Sequence, residues 1–266
     1  MDCTDNYSHL IPQIMYFPRS IPTKEVEKSI VSSPVFCDCD GATLCYQNED
    51  CNCTKTSGSA YLFSNIKDLE TYKLTYKNEN RPTYECNEQC HCSNQLCGNK
   101  LVQCGPRTRL EVKQCSENKG FGLFTGKPIQ NGNFVCEYAG EIISAKEASS
   151  RFQINAKLKR MNYIFCIDEY FGEKNLRTFI DPTFYGNIGR YVNHSCEPNC
   201  VMVNVRVSDN IPVLALFASK DIAIGQELSY NYGSTEISES GNFNKTKCLC
   251  GSGKCTGFLP CDFKIV

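Results

Sequence analysis

The chain of 266 residues has no stretch approaching the roughly 18 consecutive apolar residues of a membrane span. It also has no long basic run. The longest is "KLKR" at 157–160, which reads as a solvated helix face, and the net charge is -1. A generic nucleic-acid binder is usually basic, so that class is disfavoured, and no sequence-specific nucleic-acid or membrane contact is evident. Histidine is scarce. His9, His91 and His194 are the only three, with no grouping at metal-ligand spacing, which speaks against a histidine-based metal centre. The first twenty residues, "MDCTDNYSHLIPQIMYFPRS", lack a basic start followed by an apolar run and do not read as a signal peptide. There is no internal repeat and no low-complexity tract.

What is abundant is cysteine, twenty in all. So many imply disulfides or metal. With no secretory signal, the expectation is a reducing compartment and zinc. The sequons at Asn52-Cys53-Thr54 and Asn244-Lys245-Thr246 point the other way but are short enough to arise by chance. Nine cysteines form the first group: Cys37, Cys39, Cys45, Cys51, Cys53, Cys86, Cys90, Cys92 and Cys97. Nine thiolates are too few for three separate four-thiolate sites. They suffice for three tetrahedral zincs if three sulfurs each bridge two metals. Two separate zincs with a spare cysteine, or a disulfide knot, are the alternatives, and an odd number counts against closed disulfides. Such closed sites leave no open position for catalysis, so this module reads as structural. Cys248, Cys250 and Cys255 form a second group that lacks a fourth ligand. Cys261 and Cys196 are both candidates on spacing.

Residues 1–34 read as a lead-in with a short helix near Lys24–Ile30. Residues 35–99 have little periodicity and need a metal staple to fold. From about 107 the chain turns strand-like: "RLEVKQC", "NFVCEYAGEII", "NYIFCIDE", "LRTFIDPT", "VMVNVRV" and "VLALFASKDI", separated by turns such as "NKGFG" and "IQNGN". One helix is expected over 144–160, opened by a capping box of Ser144 and Glu147. The fold class is therefore mostly β (α+β). The segment "RYVNHSCEPNC" (190–200) is the least ordinary: a metal site, a Cys/His nucleophile pair or a ligand cradle all fit its composition. The nucleophile reading is weak, since no third group is placed to orient His194.

Five motifs, "GFGLF" (120–124), "EYAGE" (137–141), "NYIF" (162–165), "GNIGRYVNHSCEPN" (186–199) and "ELSYNYG" (227–233), occur in the order found in SET-domain protein lysine methyltransferases, which the chain resembles over roughly 35–261. The resemblance implies a SET fold of small curled β-sheets with a C-terminal pseudoknot, flanked by zinc modules: pre-SET at 35–99, SET at 107–233 and post-SET at 244–261. It implies methyl transfer from S-adenosylmethionine to a lysine of a histone tail, most simply histone H3 (lysine nine or lysine thirty-six). The work would be done in the nucleus on the H3 tail or the nucleosome, with a recruiting protein. Tyr232 matches the catalytic tyrosine, and Tyr138, Phe165 and Tyr230 the lysine channel, although any one aromatic residue alone reads as core. Lys119, Gly120, Phe121 and Gly122, as a tight turn, with Tyr163, Arg190, Asn193 and His194, match cofactor contacts. Cys196 matches the fourth ligand beside Cys248, Cys250 and Cys255, leaving Cys261 free, Cys200 without a role, and Leu249 and Phe258 to close over the cofactor. The implied zinc content is three in the pre-SET cluster and one in the post-SET site.

The sequence departs from the family's usual pattern in five places. Phe121 stands where a tryptophan is usual, and Asn231 where an acid is. The Cys92–Cys97 spacing is one residue longer. Cys166 replaces an acid that reads the residue before the target lysine. Asp168, Glu169 and Glu173 read either as acids that attract a basic tail or as no more than a polar turn. Tyr230, a phenylalanine in several trimethylating relatives, implies mainly mono- and dimethyl-lysine. The competing reading is a catalytically inactive, zinc-stabilised chromatin-binding module.

Overall fold

The computed structural model describes residues 5–32, 35–39, 44–75, 83–92, 97–115, 119–171, 174–233 and 246–260. Glu173, Cys261, the loop 93–96 and residues 244–245 lie outside the described residues. The described chain is mostly strand with few helices.

Two sheets dominate. In the first, the long strand Lys174–Gly186 is central, pairing antiparallel with Phe165–Phe171 on one side and Gly140–Ile143 on the other. In the second, Val213–Ala218 lies between Cys200–Arg206 and Phe134–Glu137. Its side chains from Leu214 to Ala218 are all buried, as expected of a strand covered on both faces. A smaller ladder joins Leu110–Gln114 to Phe121–Thr125. The C-terminal strand Ser229–Tyr230 returns to pair in parallel with Asn193–His194, the crossing by which the pseudoknot closes.

The run "NFVCEYAGEII" is not one strand. Phe134–Glu137 belongs to the second sheet and Gly140–Ile143 to the first. Gly140 makes the switch feasible. A β-carbon there would lie 2.6 Å from the backbone of Asp181 and Pro182, so only glycine lets the two chains touch.

The lead-in is woven into this frame. Met15–Tyr16 and Ile21–Pro22 extend the first sheet, pairing in parallel with Lys174–Gly186 and Gly140–Ile143. Two-residue strands are below the length at which alternation is visible. The helix here is shorter than expected, Lys24–Glu27. The long helix runs Ala145–Lys157, and the Ser144 hydroxyl accepts from the Glu147 amide as its N-cap. It ends before most of "KLKR", with Lys159 in a left-handed turn (φ 52°).

The main core gathers Leu110, Leu123, Val135, Ile188, Leu216 and Leu228. A second cluster, with Tyr61, Tyr72, Phe134 and Phe217, seats the cysteine-rich region on the second sheet. The cysteine-rich region has a core of its own made almost wholly of sulfur.

Candidate active site and metal centres

Four aromatic side chains from three parts of the chain converge. Tyr138 follows the strand Phe134–Glu137, Phe165 opens the strand Phe165–Phe171, and Tyr230 and Tyr232 lie on and just after the C-terminal strand. The rings of Tyr138, Phe165 and Tyr230 form a near-equilateral triangle, with centroids 6.0, 6.2 and 6.1 Å apart. The Tyr232 ring lies 4.7 Å from that of Tyr230, tilted by 44°. Tyr138 and Tyr230 are each only 4% exposed. Burial pushes all three phenols above their ordinary range, so they stay protonated at neutral pH. The Tyr138 hydroxyl donates to the Tyr163 carbonyl (2.7 Å) and the Tyr232 hydroxyl to the Val192 carbonyl (3.0 Å).

The second group lies along the pseudoknot crossing. Gly120 has φ +73°, and its carbonyl accepts from the Cys115 amide at 2.7 Å. The tight turn ends there. Phe121 and Gly122 already belong to the strand Phe121–Thr125, which corrects the expected four-residue turn. The amide of Asn193 donates to the Phe121 carbonyl (3.0 Å) and to Glu227 Oε1 (2.8 Å), while Lys119 Nζ meets Glu227 Oε2 at 2.6 Å. The Arg190 guanidinium lies 3.9 Å over the Tyr163 ring and donates through Nε to the Pro182 carbonyl. Its two Nη groups make no hydrogen bond among the described residues. They suit a carboxylate, and the open backbone at Gly120 suits close approach, so this group fits an amino-acid-bearing cofactor.

The His194 ring is turned elsewhere. Its Nδ1 accepts from the Tyr232 amide (3.2 Å), which leaves the proton on Nε2, 3.4 Å from Cys196 Sγ. Burial lowers its pKa and favours this neutral form. The imidazole therefore joins the C-terminal tyrosine to the cysteine site, and only its backbone is left for a ligand.

Nine buried cysteines, Cys37 to Cys97, share one cluster. Within it three tetrads overlap: Cys37, Cys51, Cys53 and Cys86; Cys37, Cys39, Cys45 and Cys51; and Cys37, Cys45, Cys86 and Cys92. In each the sulfurs lie within 4.8 Å of one another; Cys37 belongs to all three, and Cys45, Cys51 and Cys86 to two each. The sulfur pairs Cys37–Cys45, Cys37–Cys86 and Cys53–Cys90 are 3.8, 3.9 and 3.7 Å apart. Disulfide sulfurs would be about 2.05 Å apart. Four sulfurs at tetrahedral corners around a metal about 2.3 Å away would be roughly 3.8 Å apart. The donor set fits tetrahedral thiolate coordination. A fourth tetrad joins Cys196 to Cys248, Cys250 and Cys255, with Cys196 and Cys248 sulfurs 3.9 Å apart. Cys200 is not part of it. Its thiol is buried in the main core, donates to Asn199 Oδ1 and is pushed up to about 12 by burial.

Other expected groups lie differently. Asp168 is paired with Arg177 (3.0 Å) and Glu169 with Arg206 (2.6 Å), the latter pair buried. Neither is a free acid awaiting a basic tail. Cys166 faces the core under the long helix, beside Ile143, Ala148 and Phe179. Leu249 and Phe258 are exposed on the tail. Glu227 was missed by sequence reasoning. It stood inside "ELSYNYG", but nothing local marks an acid whose partners are 34 and 108 residues away.

The pairing of the C-terminal strand carrying Tyr230 with the Asn193–His194 segment, together with the two cysteine sites, defines a class. The SET domain family profile matches residues 120–233 and the Pre-SET motif profile residues 2–100. The chain belongs to the SET-domain histone-lysine N-methyltransferases. It is 40% identical over 218 residues to the probable histone-lysine N-methyltransferase set-23 of Caenorhabditis elegans, covering 80% of this chain and 87% of that protein. The methyltransferase domain of human histone-lysine N-methyltransferase SETMAR superposes with a TM-score of 0.79 at 34% identity, covering 97% of this chain and 93% of that one. KRYPTONITE in complex with mCHH DNA, an H3(1-15) peptide and SAH matches with a TM-score of 0.70 at 28% identity, over 93% of this chain and 48% of that one.

Proposed function

We propose that the protein uses S-adenosylmethionine to methylate a lysine of the histone H3 tail, lysine nine or lysine thirty-six, giving mainly mono- and dimethyl-lysine in nuclear chromatin. The observation that carries this reading is the buried cage of Tyr138, Phe165, Tyr230 and Tyr232 beside the Asn193–His194 segment. The neighbour solved with an H3 peptide and SAH supports both substrate and cofactor.

When bound, the cofactor supplies a methyl group on a positively charged sulfur. The residues of the chain prepare its acceptor. A free lysine has a pKa near about 10.4 and is almost wholly ammonium at neutral pH. The dry walls of Tyr138, Phe165 and Tyr230 disfavour that charge and favour the neutral amine. The Tyr232 hydroxyl donates its hydrogen bond to the Val192 carbonyl, which leaves the lone pairs of its oxygen for the site. Those lone pairs accept from the amine and make weak C–H···O contacts, each about 0.5–1 kcal/mol. Alignment and exclusion of water then supply the rate. Lys119, Gly120, Phe121, Gly122, Tyr163, Arg190, Asn193 and the His194 backbone are the residues that would hold the cofactor.

Phe165–Phe171 pairs on one side only among the described residues, so an extended tail added along its free edge would arrive at Phe165 and the cage. The nine cysteines hold three zincs and the Cys196 tetrad one, in pre-SET and post-SET modules at 35–99 and 244–261 around a SET domain at 107–233. A nucleosome or free H3 tail is the partner, brought by a recruiting protein.

The test is incubation of the chain with labelled S-adenosylmethionine and recombinant histones, the modified site being mapped by mass spectrometry. Mono- and dimethylation of H3 at lysine nine or thirty-six is expected. Transfer to a different lysine would overturn the target assignment, and no transfer to any histone would leave an inactive chromatin-binding module.

A further inference from the structure

Glu227 has both carboxylate oxygens engaged beside Asn193 and Lys119, and no part of the reaction described above uses it. Its Oε1 accepts from Asn193 Nδ2 at 2.8 Å, and its Oε2 meets Lys119 Nζ at 2.6 Å. Asn193 Nδ2 has two hydrogens, and the second goes to the Phe121 carbonyl at 3.0 Å. Both of these partners are acceptors only. The reverse orientation of the amide would set Oδ1 against a carboxylate and a carbonyl, so the rotamer is chemically forced. Its consequence is that Asn193 Oδ1 is fixed away from both, with no donor to it among the described residues. Lys119 meanwhile neutralises the carboxylate that does the fixing.

Gly122 shows how tightly this knot is drawn. A β-carbon there would lie 2.7 Å from Glu227 Oε1, 2.7 Å from Cys115 Sγ and 3.1 Å from Asn193 Nδ2. The glycine leaves the space that the carboxylate and the amide occupy.

We infer that Glu227 is a positioning residue: it locks the Asn193 side chain so that Oδ1 is presented as the acceptor for the α-ammonium at the amino-acid end of the cofactor. This rests on the assignment of Asn193 to the cofactor site. A carboxylate acceptor is stronger than a neutral one, so the lock is lost with the charge-assisted bond.

The test measures binding rather than turnover. S-adenosylhomocysteine carries the amino-acid end, and methylthioadenosine lacks it. Titration calorimetry on the full chain compares the two ligands for wild type, Glu227→Ala, Glu227→Gln, Asn193→Ala and the double variant Glu227→Ala/Asn193→Ala. Glu227→Ala is expected to weaken S-adenosylhomocysteine about tenfold, the scale of one charge-assisted hydrogen bond. Methylthioadenosine should bind all variants alike, which also shows that they are folded. Glu227→Gln should recover part of the loss, because its carbonyl oxygen still accepts from Asn193. The double variant should be no weaker than Asn193→Ala alone. Equal weakening of both ligands, or unchanged S-adenosylhomocysteine binding in Glu227→Ala while Asn193→Ala weakens it, would overturn the inference. If Asn193→Ala itself leaves S-adenosylhomocysteine unaffected, the cofactor-site assignment fails and the inference falls with it.

Discussion

Tyr230 packs against Tyr138 in the aromatic triangle, with ring centroids 6.2 Å apart, and both residues are buried. A phenol there takes space that a methylated amine needs and can hold a water beside it. Removing one oxygen enlarges the cage without moving its walls. Tyr230→Phe is therefore expected to shift products from mono- and dimethyl-lysine toward trimethyl-lysine, with about the same total methyl transfer; mass spectrometry of an H3 peptide reads the ratio, and an unchanged ratio counts against this role. The two cysteines of "RYVNHSCEPNC" separate at the same scale. Cys196 lies with three other sulfurs, whereas Cys200 packs in the core. Cys196→Ser should lose about one zinc per chain and most activity, because the tail and the His194 link to Tyr232 both depend on that sulfur. Cys200→Ser should keep all its zinc and cost about 1 kcal/mol of stability, typical of a single buried substitution. Elemental analysis alongside melting curves distinguishes the two, and equal zinc loss would refute the division.

Among the elements, legibility followed length and locality. The helix Ala145–Lys157 was plain in the sequence because its cap and its first turn are contiguous. Strands such as Cys200–Arg206 and Val213–Ala218 were plain because Val, Leu and Phe recur within five or six residues. The break at Tyr138–Ala139 was not, since it is forced by Gly140 meeting Asp181, a contact made across the fold. Nor was the pairing of Asn193–His194 with Ser229–Tyr230, two residues each, visible as periodicity. The cage was legible only through ordered motifs, because its members come from three distant segments. The paired state of Glu169 was illegible for the same reason: Arg206 lies 37 residues away. The anchoring of the helix is another long-range feature. Arg151 meets Glu147 on its own helix and both Glu141 and Asp181 on the first sheet, at 2.7–2.8 Å. Asp181 is wholly buried. Arg151→Ala would strand that charge and should destabilise the protein by roughly 3 kcal/mol. Adding Asp181→Asn should restore much of the loss, since the Asn oxygen still accepts from the Thr183 amide. Urea denaturation of both variants checks this, and a double variant no better than the single would remove the charge argument.

The whole molecule is held by groups that differ in kind. The cysteine-rich region has sulfur where other domains have hydrocarbon, so its stability should vanish with its metal. A strong chelator is expected to release about four zincs and to lower the melting temperature, with amides of 35–99 losing hydrogen-exchange protection before those of the sheets; simultaneous loss everywhere would show that the cluster is integral to one cooperative unit. The N-terminal segment is held by polar bonds. The Glu137 carboxylate, 8% exposed, accepts through Oε1 from both the amide and the hydroxyl of Ser20, each at 2.9 Å. Burial raises its pKa from the ordinary 4.5, and the Ser20 bonds and nearby Arg19 offset this only in part. A raised folded-state pKa means that the native chain holds this proton more tightly than the unfolded chain. Stability from this group is thus complete below about pH 4.5 and is lost as pH rises through the folded value. Glu137→Gln keeps the oxygen that accepts from Ser20 and has no charge to bury. The melting temperature of Glu137→Gln should equal that of wild type near pH 4 and, toward pH 8, exceed it by a margin that grows as pH rises through the folded value and levels off above it. A difference that stays constant across that range would mean the carboxylate is ionised at no cost, and that the N-terminal segment is held against the sheet by the Ser20 bonds alone.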